Sequence, residues 1–229
     1  MKRKDGYLHC FSPEVMLATF IIEISLAIGV LIKSCWKNPR NSVLIILILL
    51  FLASFQGIEY LICETSIDKI LLGKLGFFSI TLLPPLGIHL AYSLAQKNKH
   101  PHILVPYLTA FILNVLFITS PLTVQNVVCH GNYVIFDLPF VLHIVYSFYY
   151  QGFLLYGLMT AFNLSHHVNT ETRAQRLRWL GVGYIVFMMP SAVLMLIAPE
   201  TVRAVPSIMC GFALILAFIL YFKIFRVEK

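Results

Sequence analysis

Seven long apolar segments constrain the fold of this chain more than any other feature of the sequence. They fall at about 14–33, 42–63, 74–96, 102–120, 138–162, 178–198 and 204–224. A run of roughly 20 apolar residues is the length that an α-helix needs to cross the hydrocarbon core of a membrane. Charged residues make up only 12% of the chain, about half of their share in an average soluble domain. The sequence therefore predicts a single all-α domain over residues 1–229, a multi-pass bundle of seven transmembrane helices in the cell membrane.

The basic residues predict how this bundle is oriented. Seven spans place the two termini on opposite sides, and cytoplasmic loops are enriched in lysine and arginine. One side collects Lys33, Lys37, Arg40, Lys97, Lys99, Arg173, Arg176, Arg178, Lys223, Arg226 and Lys229, and the other collects Lys2, Arg3, Lys4, Lys69, Lys74 and Arg203. We therefore predict an outside N-terminus and a cytoplasmic C-terminus. The net charge of +7 would then meet anionic lipid headgroups, so membrane lipids, and not nucleic acid, are the expected partners.

Two stripes of polar residues lie inside the apolar segments. Gln56 and Glu59 share one face of the second segment, and His143, Tyr146 and Tyr150 share one face of the fifth. Ionisable residues inside a membrane are costly and usually face a cavity or a partner. We expect the two stripes to lie close together and to line a pocket that opens to the outside and binds a small-molecule or lipid ligand. The alternative is that Glu59 snorkels to the interface, the tyrosines form an aromatic belt, and His143 bonds a neighbouring helix.

Two further candidates for ligand binding come from the first and third segments. Glu23 lies about ten residues below the start of the first segment, and His89 follows Pro84 and Pro85 in the third. The two prolines remove backbone donors and predict a kinked helix. A second hypothesis is a transporter or channel component, with Glu23, Glu59 and His89 along a polar path. Transporters often contain internal repeats, and the proline pair has no counterpart three or four segments later.

Patterns typical of catalysis are missing from the sequence. There is no HExxH pair of the kind that intramembrane metalloproteases use, and no Cys or His spacing matches a metal site. The longest loop, at 121–137, is too short to hold a catalytic domain. We therefore predict a protein that is not an enzyme, with neither a metal nor a cofactor.

Three of the five cysteines are predicted on the outer side, namely Cys10, Cys63 and Cys129. In an oxidising compartment, a bridge between Cys63 and Cys129 would join the second helix to the longest loop, and Cys10 is the competing partner. Free thiols at all three positions are the remaining alternative.

The run at 52–96 carries the residues of a family resemblance, in the order Glu59, Lys74, Phe77, Phe78, Pro84, His89 and Tyr92. It resembles the second and third helices of the seven-transmembrane sensor region at the N-terminus of many bacterial histidine kinases. The start of the sixth segment, RAQRLRWLGVGYIV, is similar as well. The resemblance implies a sensor or receptor domain that binds an outside or membrane-borne ligand. Its output would pass to a cytoplasmic module, carried by an extension of this chain, by a separate signalling partner or by a homodimer.

Overall fold

The structure is a computed structural model that describes residues 13–34, 39–97, 100–130, 133–197 and 205–226. Within these residues the chain forms eight α-helices, one π-helical segment and one β-hairpin. In chain order, the elements are α1 Pro13–Ser34, α2 Pro39–Glu64, α3 Lys69–Thr81, α4 Leu83–Leu94, α5 His100–Thr119, β1 Asn126–His130, β2 Tyr133–Asp137, α6 Phe140–His167, α7 Glu171–Ile197, α8 Val205–Phe218 and the π-helical segment Ile219–Phe225.

Five helical segments of the described chain are long and apolar enough to cross a membrane. They are Pro13–Ser34, Arg40–Glu64, Lys69–Leu94, Pro101–Thr119 and Ser207–Phe225. The prediction of a largely helical chain with several helices long and apolar enough to cross a membrane is confirmed at this level. The predicted fifth and sixth spans form the two longest helices, α6 and α7, with 28 and 27 residues.

The third predicted span divides at Leu82 into α3 and α4. Pro84 and Pro85 follow the break, and neither has a backbone N–H to donate to the turn before it. The carbonyl of Thr81 therefore loses the donor that would normally lie four residues on. It accepts instead a 2.6 Å hydrogen bond from the hydroxyl of Tyr149 in α6. The kink predicted from the proline pair is confirmed, and a neighbouring helix satisfies the freed backbone group.

The long loop at 121–137 contains an antiparallel hairpin of β1 and β2. One face of the hairpin is buried, with Val127, Val134 and Phe136 turned inward. The ring of Phe136 lies 6.0 Å from that of Phe55 in α2 and 5.3 Å from that of Phe77 in α3. The hairpin thus covers one end of the bundle, which we call the hairpin end. The start of α2 lies at the opposite end.

Close packing in the middle of the bundle depends on glycine. The side chain of Tyr184 in α7 is buried against Gly87 in α4 and Gly157 in α6. A Cβ atom added at Gly157 would lie 2.5 Å from the Tyr184 hydroxyl oxygen and 2.7 Å from Cζ. Since protein interiors are close-packed, neither the ring nor the helices have room to move apart without cost.

We predict that Gly157→Ala destabilises the protein by about 1–3 kcal/mol through overpacking. Gly152→Ala in the same helix is the matched control, because a Cβ there meets nothing within 4 Å. The control should be neutral or slightly stabilising, since alanine favours helix over glycine. Thermal unfolding of both purified variants in detergent measures the difference, and equal melting temperatures would contradict the packing described here.

Candidate functional site

A cavity of about 40 Å³ lies beneath the hairpin, and we call it the hairpin-end cavity. One face of α6 supplies its polar lining, which consists of His143, Tyr146, Ser147, Tyr150 and Gln151. The apolar walls come from α3, β2 and α8 and include Phe77, Phe136 and Met209. A water molecule needs about 10–15 Å³ on this measure, so the cavity has room for about three waters. In this conformation it fits a small polar group and not a drug-sized ligand.

His143, Tyr146 and Tyr150 form a stripe on α6, which we call the α6 stripe. Contacts with α3, the first half of the broken third span, hold this stripe in place. The hydroxyl of Tyr146 lies 3.2 Å from the hydroxyl of Thr81, and its ring packs edge-on against Phe77 with centroids 5.1 Å apart. Tyr150 lies one turn further along α6 with its ring 5.8 Å from that of Tyr146. The structure therefore brings together three of the predicted residues, His143, Tyr146 and Tyr150. Their role in ligand binding stays a prediction.

Gln151 is a lining residue that the sequence reasoning missed. It lies four residues after Ser147 and eight after His143, so the series of positions spaced by four that begins at His143 would have included it. Its side-chain nitrogen is 3.6 Å from the sulfur of Met209. This contact joins α6 to α8 across the cavity.

Glu59 is buried away from the α6 stripe. Its side chain is 1% exposed, and its carboxylate is hydrogen-bonded to the side chain of Ser207 in α8. The Ser207 hydroxyl oxygen also accepts a 3.2 Å bond from the backbone N–H of Val134 in β2. The burial of Glu59 inside the protein argues against the snorkelling alternative, which requires a side chain that extends outward.

The expected neighbourhood of Glu59 is also corrected. Val205 and Met209 are four residues apart on α8 and both line the hairpin-end cavity. Ser207 lies two residues from each, so it faces roughly the other side of the helix. Gln56 and Glu59 are not among the residues that line the hairpin-end cavity, so the structure does not place the two predicted stripes around one cavity.

Glu23 in α1 and Gln56 in α2 are buried as deeply as Glu59. Their side chains are 0% and 2% exposed, and α1, α2 and α8 contact one another. Neither carboxyl oxygen of Glu23 has a hydrogen-bond partner among the described residues, and the side-chain nitrogen of Gln56 also lacks one. Buried polar groups without a partner are rare in proteins.

His89 lies near the opposite end of the bundle, away from the other predicted residues. Its Nε2 atom is 3.2 Å from the guanidinium of Arg40, and its Nδ1 atom is 3.2 Å from the hydroxyl of Tyr107. Arginine can only donate, so Nε2 accepts and Nδ1 carries the hydrogen that it donates to Tyr107. His89 therefore contributes to a contact between α2, α4 and α5 and not to the hairpin-end cavity.

The structure joins Cys63 at the end of α2 to Cys129 in β1 by a disulfide, with Cα atoms 5.4 Å apart. This pairing ties the hairpin to α2 one turn beyond Glu59. The competing candidate, Cys10, lies outside the described residues.

Comparison of the chain with protein-family models, with curated proteins and with solved structures finds no match. The resemblance to histidine kinase sensor regions therefore stays a prediction carried by the residues of the 52–96 run. In the part of the chain that the structure describes, no group of three or more His, Cys, Asp or Glu side chains is arranged to hold a metal ion.

We predict that mass spectrometry of the unreduced protein finds a peptide pair linked through Cys63 and Cys129. The sample should be alkylated before digestion, so that free thiols are marked. Cys35 is the internal control, because the sequence predicts it on the other side of the membrane, where it should be alkylated. A link from either cysteine to Cys10, or alkylation of both, would contradict the pairing.

Proposed function

We infer that the chain is a seven-span membrane receptor domain whose hairpin-end cavity binds a small outside or membrane-borne ligand. Five spans are supported by length and hydropathy. The 28 residues of α6 and the 27 of α7 would each extend about 40 Å at 1.5 Å per residue, which is enough to cross a bilayer. α6 packs against α4 and α7, and α7 packs against α8, so both belong to the same bundle.

The observation that supports a receptor is that α6 and α8 both contribute walls to the hairpin-end cavity. Two helices that are distant in sequence, α6 and α8, line it together and touch through Gln151 and Met209. A ligand larger than about three waters has to displace one wall to enter. The energy of binding would then favour an arrangement in which α8 has moved relative to α6, which is how a ligand shifts a population of conformations.

The end of α8 that lies away from the hairpin could pass a ligand-induced shift of this helix to its neighbours. There the chain becomes π-helical over Ile219–Phe225, a rare geometry that often marks functional sites. The hydroxyl of Tyr221 lies 3.4 Å from the ammonium of Lys33 in α1, and the guanidinium of Arg226 lies over the Tyr221 ring, 5.5 Å from its centroid. Lys223 lies over the ring of Trp179 in α7. A shift of α8 would change these contacts at the end of the bundle where a cytoplasmic output is expected.

A transporter is less well supported than a receptor. Glu59 and His89 lie near opposite ends of the bundle, and the α2 side chains between their levels include Ile45, Leu49 and Leu52, which are fully buried and apolar. A polar path through these layers would require a large rearrangement of the core.

We predict that a reporter fused after Lys229 reads as cytoplasmic, because most lysine and arginine residues are assigned to the side of the C-terminus. A paired reporter inserted between His130 and Tyr133, at the tip of the hairpin, should read as outside. The same side for both reporters would contradict the three spans predicted between them, at 138–162, 178–198 and 204–224.

We predict that filling the cavity abolishes ligand binding without unfolding the protein. Ser147→Leu adds an apolar side chain to the cavity lining and should keep or raise the melting temperature. Phe148→Leu is the control, because this neighbouring side chain is 77% exposed and does not line the cavity. Small polar and amphipathic compounds are screened by the thermal shift that they cause in the wild-type protein. Shifts that persist in Phe148→Leu and vanish in Ser147→Leu are the expected result. A library that causes no shift, or equal shifts in all three proteins, counts against this cavity as the receptor site.

A further inference from the structure

A groove on the surface of the bundle runs between α1 and α2 at the hairpin end. It consists of two sections with volumes of about 270 and 450 Å³. Leu17 and Tyr60 line both sections, so the two are continuous. All the described residues of the lining belong to α1 or α2. Leu17 and Ile21 are exposed along the groove, so its open side faces away from the bundle.

The groove is about as deep as one leaflet of a bilayer. Along α2 its lining runs from Glu64 to Ser54, which is about 15 Å at the rise of an α-helix. The hydrocarbon core of a bilayer is about 30 Å thick. Both helices are long and apolar enough to span it, and Glu14 and Glu64 lie at their hairpin ends. A chain lying in the groove would therefore run from the membrane surface to about the midplane, as an acyl chain of a lipid does.

The lining is apolar in its deeper section and acidic at the hairpin end. Phe20, Gly57 and Leu61 line the deeper section, where a Cβ atom added at Gly57 would lie 3.2 Å from the Phe20 ring. Glu14 and Glu64 line the other section, one from each helix. Lysine, arginine and histidine are absent from the described residues of the lining. The groove therefore matches an apolar chain that carries a positive charge at the membrane surface.

Tyr60 adds an aromatic ring at the junction of the two sections. Its side chain is half-buried and lies one helical turn from Glu64 on α2. A positive charge is attracted to the face of an aromatic ring, and tyrosine is enriched at the level of the lipid headgroups. Two carboxylates and one ring thus line the part of the groove where a lipid headgroup would lie.

We propose that this groove binds phosphatidylethanolamine, a phospholipid with a primary amine in its headgroup, with one acyl chain between α1 and α2. A protonated primary amine has three N–H donors, and the carboxylates of Glu14 and Glu64 accept from them. A quaternary ammonium has no such donor, and an anionic headgroup would bring its net negative charge beside two carboxylates. The groove shares no lining residue with the hairpin-end cavity, so this site does not depend on the receptor proposal.

Native mass spectrometry of the purified full chain in detergent tests the lipid site. The protein is titrated in parallel with the dioleoyl forms of phosphatidylethanolamine, phosphatidylcholine and phosphatidylglycerol. We expect one retained phosphatidylethanolamine per chain, bound about tenfold more tightly than the other two lipids, which corresponds to about 1.4 kcal/mol. The double variant Glu14→Gln with Glu64→Gln should lose this preference. Glu171→Gln removes an exposed carboxylate outside the groove and is the matched control, which should keep it.

Filling the groove separates this lipid from lipids bound elsewhere on the surface. Ala18→Phe adds a ring to the lining and should lose the retained lipid, whereas Val15→Phe, at an exposed position of α1 outside the groove, should keep it. Equal retention of the three lipids by the wild-type protein, or a preference that survives in the double variant, would overturn the proposal. So would a dimer that Ala18→Phe dissociates, because the groove would then hold a helix of a second copy. If the double variant does not fold, the comparison of the three lipids on the wild-type protein and on Ala18→Phe decides.

Discussion

Inside a hydrocarbon layer, each backbone N–H and C=O group has to find its partner within the protein, because no water is available. The break between α3 and α4 is the place where this constraint acts most strongly on the structure. The carbonyl of Thr81 is freed by Pro85, and the hydroxyl of Tyr149 satisfies it. Tyr146 contacts the side chain of the same threonine. These bonds hold α6 against the broken span, and the polar face of α6 then forms one wall of the hairpin-end cavity.

The hairpin is attached to three different helices by three different kinds of interaction. The disulfide between Cys63 and Cys129 joins it to α2, the bond from Val134 to Ser207 joins it to α8, and the ring of Phe136 packs against α3. A two-stranded hairpin is at best marginally stable alone. The position of the hairpin therefore depends on the positions of α2, α3 and α8, and a movement of any of these helices would displace it.

The sequence could predict the features that depend on a single helix. Segment length predicts spans, the proline pair predicts the break in the third span, and the spacing of His143, Tyr146 and Tyr150 predicts a shared face. The hairpin was also within reach, because VVCHGNYVIF has two short runs rich in β-branched and aromatic residues on either side of a Gly-Asn pair, a known hairpin signal.

Neighbours in space could not be predicted in the same way. Helical periodicity shows which face of α2 carries Glu59. It does not show that this face packs against α8 instead of α6. The partner Ser207 is a common residue in an apolar segment and has no signal of its own. The same holds for Arg40 beside His89, since a basic residue at a helix end is expected for orientation alone. Packing order in a bundle is a tertiary property, and helical periodicity contains no information about it.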